Sequence, residues 1–155
     1  MSKISNSEIW NKMRDYYDQV GPAAWQDEIV PLDISSNKRL AHGYANLILH
    51  QILDHKKAAT TVSEQPFYII EAGAGHGKFG FYILKTLEVL LKFYDLPLST
   101  VKYIMTDISK KNMESCMAHP ALSQFVKAGV LDFSCFDILA SKEINLMESG
   151  QTITP

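Results

Sequence analysis

The chain has 155 residues, 46% of them hydrophobic and 21% charged, enough for one domain with its own core. Fifteen Lys and Arg against seventeen Asp and Glu leave a formal net charge of -2, so no cationic excess points to a nucleic-acid partner. The two cysteines, Cys116 and Cys135, have neither the density of a disulfide scaffold nor the spacing of a zinc site, and no window has the length of a membrane span. Reduced thiols, no metal, no membrane and a cytoplasmic location are the expectations, since Met1 to Ser7 also lacks an apolar signal core.

Ser5 with Glu8 three residues on predicts a capping box, and Ile9, Met13, Tyr16, Tyr17 and Val20 follow at helical spacing until Gly21-Pro22 stops the helix. Residues 21–36 carry Gly21, Pro22 and Pro31 around Trp25 and Ile29, which predicts an irregular cover with a short helical turn. Ser35 or Ser36 is expected to cap a second helix over residues 37–55, with Leu40, Tyr44, Leu47, Ile48, Gln51 and Ile52 along its apolar face. His42 and His50 on that helix stand about 12 Å apart along the axis, too far to share a metal. Arg39 reads as a surface cation and Tyr44 as a core ring. Residues 58–66 form a polar loop.

Phe67-Tyr-Ile-Ile-Glu71-Ala-Gly73-Ala-Gly75-His-Gly77-Lys-Phe-Gly80 reads as a buried parallel strand, a glycine-rich turn and the start of a helix, the order of elements that builds nucleotide pockets. A phosphate loop would need glycine at 72 and Ser or Thr at 79, where the chain has Ala72 and Phe79. Gly75-His-Gly77-Lys-Phe-Gly80 matches the dinucleotide G-x-G-x-x-G spacing, but two residues after the turn has begun at Gly73. The register Glu71-x-Gly73-x-Gly75-x-Gly77 fits better and sets an acid two residues before the first glycine. His76 within the turn is a candidate contact or base, against the blander reading of a loop histidine. Lys78 opposes the dipole of the helix it starts.

The helix over 78–94 is apolar nearly all round apart from Lys85, Glu88 and Lys92, which predicts deep packing on a sheet. Pro97 leads to a second strand, Val101 to Asp107, and Ser109 caps a further helix that His119-Pro120 interrupts before Leu122 to Val126. Gly129 to Asp137 reads as a third strand ending in an acid, with Asp132, near its start, read as solvated. Met105, Met113 and Met117 read as packing residues.

The glycine register, with acids ending the next two strands, resembles motif I and its neighbours in the class I S-adenosylmethionine-dependent methyltransferases. The resemblance covers roughly residues 35–140. It implies that Glu71, Gly73, Ala74, Gly75 and Gly77 form the cofactor turn, the acid suiting a ligand with a sulfonium and an amino group and no phosphate. It also implies that Asp107 accepts the ribose hydroxyls, that Asp137 accepts the adenine amino group, and that Ile108 and Ile138 wall the ring. The Ser36-Asn37 turn, Tyr44-Ala45 and the glycine core are similar to a poorly characterised bacterial group, itself distantly similar to methyltransferases acting on a respiratory-complex subunit.

The expected architecture is α/β: two amino-terminal helices, then β, α, β, α, β, the first half of a doubly wound Rossmann-like sheet in strand order 3-2-1. Residues 1–60 would be a helical cover, 61–140 the cofactor-binding half, and 141–155 a polar tail leading to a missing second half. On that expectation the chain is the amino-terminal portion of a methyltransferase, inactive alone and with no catalytic residue of its own. Its first strand would then be an uncovered edge through which it could pair with itself or a partner. The rival readings are an NAD- or FAD-binding domain and a non-catalytic assembly module built on that edge.

Overall fold

The structure, a computed structural model, describes residues 4, 7–26, 36–58 and 65–154. The expected Ser5 cap, Ile29, Pro31, Ser35 and most of the loop before the first strand lie outside them. The described residues fold as α1 (Ile9–Val20), α2 (Ala23–Gln26), α3 (Lys38–Ala58), β1 (Phe67–Ala72), α4 (Lys78–Phe93), a 3-10 turn (Leu98–Thr100), β2 (Val101–Asp107), α5 (Lys110–Ala118), α6 (Pro120–Lys127), β3 (Leu131–Cys135), β4 (Ile144–Asn145) and β5 (Thr152–Ile153).

β2 lies between β1 and β3, and both pairings are parallel, with Phe67 opposite Val101 and Tyr103 opposite Leu131. Because side chains alternate along a strand, Phe67, Ile69, Val101, Tyr103, Met105, Leu131 and Phe133 share one face. That face carries the main core, joined by Leu49 and Ile52 of α3, Leu84, Leu87 and Leu91 of α4, Met113 of α5 and Phe125 of α6. On the opposite face Ile104 packs with Phe136, Ile144, Leu146 and Ile153.

The sequence expectations need correction in five places. α3 starts from Asn37, whose Oδ1 accepts the Leu40 N–H at 2.8 Å, rather than from a serine. Its buried stripe is Ala41, Ala45, Leu49 and Ile52, while Leu40, Tyr44 and Leu47 are exposed, because two small residues let α3 approach α4 closely. α4 is not buried all round, since Val89 is 67% and Phe93 80% exposed. β1 is covered on one face only: Tyr68 and Ile70 are 40% and 41% exposed. Residues 141–154 are more than a polar trailing segment, for β4 and β5 pair antiparallel and seat Ile144 and Leu146 against Ile104.

Asp132 is a further departure, being fully buried instead of solvated. Its carboxylate accepts the N–H groups of Phe133 and Glu148 at 2.9 Å and of Ser149 at 3.2 Å, with the Lys102 ammonium 3.4 Å away. Burial pushes its pKa up, but these four partners together hold it below the usual carboxylate range. Asp132 therefore ties the segment after β4 to β3.

Candidate functional site at the strand ends

The glycine turn forms because it needs three left-handed residues in succession at odd positions. Gly73, Gly75 and Gly77 have φ of 72°, 56° and 75°. Three of its backbone donors are taken by the protein: Ala74 N–H donates to the Thr106 carbonyl at 2.8 Å and Gly77 N–H to the Ala74 carbonyl at 2.9 Å. Gly75 N–H donates to Asp107 Oδ2 at 2.9 Å.

Asp107 is nearly buried, and its other oxygen accepts Ser109 N–H at 2.8 Å and Asn112 Nδ2 at 3.4 Å. One carboxylate thus joins the turn after β1 to the start of α5. A carboxylate offers about four acceptor positions, so Oδ2 retains one beyond Gly75. Asn112 Oδ1 is buried without a partner among the described residues.

A cavity of about 280 Å³ opens at this junction. Ala72 and Gly73 line it from the β1 end, and Thr106, Asp107, Ile108 and Asn112 from the β2 end and the start of α5. Phe136 and Ile138 come from the segment after β3, and Tyr17 and Trp25 from α1 and α2. Tyr17, Trp25 and His76 stack in a near-parallel column with centroids 5.4 and 5.2 Å apart. The indole lies so close to Gly75 that a Cβ there would meet Trp25 Cζ2 at 2.9 Å. Burial, reinforced by the Lys78 charge, lowers the His76 pKa, which favours the neutral ring.

The structure brings Gly73, Asp107, Ile108 and Ile138 to one cavity, while Ala74, Gly75 and Gly77 shape the turn behind it. Glu71 is not part of the lining. Its side chain points to the helix-covered face, where Oε2 accepts from Tyr103 Oη at 3.1 Å. Burial, partly offset by the Tyr103 hydrogen bond and reinforced by the Asp107 charge, pushes Glu71 up to about 7. Its main-chain carbonyl meanwhile accepts Thr106 Oγ1 at 2.8 Å. Asp137 lies two residues past β3, between the lining residues Phe136 and Ile138, and pairs with Arg14 Nη2 of α1 at 2.9 Å. Cys116 Sγ donates to the Gly75 carbonyl at 3.5 Å, and burial first, then the Glu71 and Asp107 charges, push this thiol up to about 12.

Sequence reasoning missed Tyr17, Trp25, Ala72, Thr106, Asn112 and Phe136. Thr106 and Asn112 had a signal: one precedes the strand-end acid, and the other is the third residue of a helix capped by Ser109, whose Oγ accepts the Asn112 N–H. Tyr17 and Trp25 arrive from far along the chain and had none.

Compared with protein-family models, with curated proteins and with solved structures, the chain finds no match.

Proposed function

We propose that this cavity binds S-adenosylmethionine and that the chain supplies the donor side of a methyltransferase acting on an acceptor of unknown class. The observation that carries the reading is the Gly75 to Asp107 link. It sets a glycine turn and an acid with a spare acceptor position together at the carboxyl ends of parallel strands, where α/β sheets hold nucleosides. Asp107 would take the ribose hydroxyls, Asn112 Oδ1 a further donor, and Ile108, Phe136 and Ile138 the apolar ring. The cofactor when bound supplies an activated methyl group with its own leaving group. The chain's residues hold and orient it, and Tyr17 and Trp25 keep water from one side.

Against the rival dinucleotide reading, the N–H groups of Ala74, Gly75 and Gly77, three of the turn donors that a pyrophosphate would use, are already taken. Glu71 supports the turn from beneath in this reading and does not touch the ligand. A second reading, an assembly module, is favoured by one observation, the exposed face and unpaired edge of β1 among the described residues.

Calorimetric titration of S-adenosylhomocysteine into the full chain tests the proposal. Saturable binding is expected, weakened at least tenfold in Asp107→Asn, with thermal unfolding run alongside to show that the variant is folded; NAD and FAD should give no heat. No saturable binding of the nucleoside ligand, or preferential binding of NAD or FAD, would overturn it.

A further inference from the structure

The strand-end cavity leaves the charge at the start of α4 without a role. α3 and α4 both begin with a lysine, Lys38 and Lys78, and neither helix has an acid in its first turn. A cation there opposes the positive end of the helix dipole, which favours an anion instead. The two ammonium groups also converge, for both lie over the Tyr82 ring, 5.6 and 6.0 Å from its centre. Neither is paired with a carboxylate among the described residues, whereas Lys85, further along α4, is taken by Glu88. In a chain of net charge -2, two unpaired cations on one ring are a local excess.

Beside them is a groove of about 530 Å³, within the range of roughly 300 to 1,000 Å³ typical of small-molecule sites. Lys38 and His42 line it from α3, and Phe81, Thr86, Val89 and Leu90 from α4. Tyr82, also in the lining, marks the cationic end. Val89 and Leu90 stand two turns further along α4, about 10 to 12 Å away at 1.5 Å per residue, so charge and apolar surface are separated along the groove.

We propose that this groove binds a free fatty acid of medium length, its carboxylate held by Lys38 and Lys78 and its chain lying along Phe81, Val89 and Leu90. The head meets two ammonium groups and the positive ends of two helices, and it offsets the repulsion that each lysine sets against its own helix. The chain covers apolar side chains that the groove leaves open to water, Val89 among them at 67% exposure. The separation of the two ends along α4 sets the length of the ligand. The site is independent of what the strand-end cavity holds.

Decanoate titrated into the full chain below its micelle concentration, followed by amide shifts in heteronuclear NMR spectra, tests this. Saturable shifts are expected across residues 38–42 and 81–90 and not across the 73–77 turn. Lys38→Gln and Lys78→Gln, with spectra showing that each is folded, should each weaken binding about two- to fivefold, as expected for loss of one exposed ion pair, and raised salt should weaken the wild type likewise. Decanol, which has the chain without the charge, should bind about fivefold or more weakly, and acetate, which has the charge without the chain, about tenfold or more weakly. No saturable shifts, or shifts centred elsewhere, would overturn the site. Decanol binding as tightly as decanoate, or both variants binding like the wild type, overturns the part given to the two lysines. Acetate binding as tightly as decanoate overturns the part given to the groove.

Discussion

Glu71 carries a carboxyl group to the side of the sheet that the helices cover, and the only hydrogen bond it makes there among the described residues is to Tyr103 Oη. Because its pKa rises from the usual 4.5 to about 7, the folded state favours the protonated form. The sign follows: the stabilisation is complete below about pH 4.5 and is lost as pH climbs through 7. At most about 3 kcal/mol is at stake. Glu71→Gln keeps the shape and removes the titration. Urea unfolding should therefore show the wild type weakening between pH 5 and about 7.5 and the variant holding steady, so that the variant is the more stable at pH 8. Parallel pH profiles would show that Glu71 ionises freely. Asp132 works in the opposite sense, its depressed pKa adding stability that disappears only in acid. Two buried carboxyls on one sheet thus give opposite slopes, divided by whether backbone N–H groups meet them.

At the scale of elements, the turn between β1 and α4 is the best-specified part of the chain, and its tolerances are narrow. A Cβ on Gly80, in the first turn of α4, would run into the Glu71 carboxylate and stand 2.5 Å from Met105 Cε. Gly43, in the middle of α3, has nothing within 4 Å. The same substitution should therefore have opposite signs: Gly80→Ala should destabilise by about 1–3 kcal/mol through overpacking, and Gly43→Ala should stabilise by about 0.5–1 kcal/mol through helix propensity. Denaturant midpoints of the two variants check this, and a neutral Gly80→Ala would mean that the ends of the Glu71 and Met105 side chains swing aside without penalty. The contrast also shows what was legible in the sequence. The strand, turn and helix order followed from glycine spacing and apolar runs, because backbone conformation at Gly73, Gly75 and Gly77 is a local demand. The buried face of α3 was misread because large apolar residues outweigh alanine in any periodicity argument, whereas packing selected Ala41 and Ala45 for their small size. β4 and β5, two residues each, are too short to show a period, and the capping of the cavity by Tyr17 and Trp25 is a tertiary fact with no local trace.

For the whole molecule, the two edges of the three-stranded sheet are treated differently. Beside β3, Met147 N–H donates to the Phe133 carbonyl at 2.8 Å and Asp132 gathers the next two N–H groups, so the segment after β4 guards that strand. β1 pairs with β2 alone among the described residues, and neither Tyr68 nor Ile70 on its open face is balanced by a charge in the strand, since the Glu71 side chain turns inward. Strands left open in this way usually carry lysine or proline to prevent pairing between molecules, and Phe67 to Ala72 carries neither. If β1 is an assembly surface, sedimentation velocity should show mass rising with concentration, and Ile70→Lys should return the chain to a monomer. Ile70 is 41% exposed and does not line the cavity, so the variant should stay within about 0.5 kcal/mol of wild-type stability and bind S-adenosylhomocysteine unchanged. A monomer at every concentration would remove the assembly reading and leave the cavity at the strand ends as the feature that function rests on.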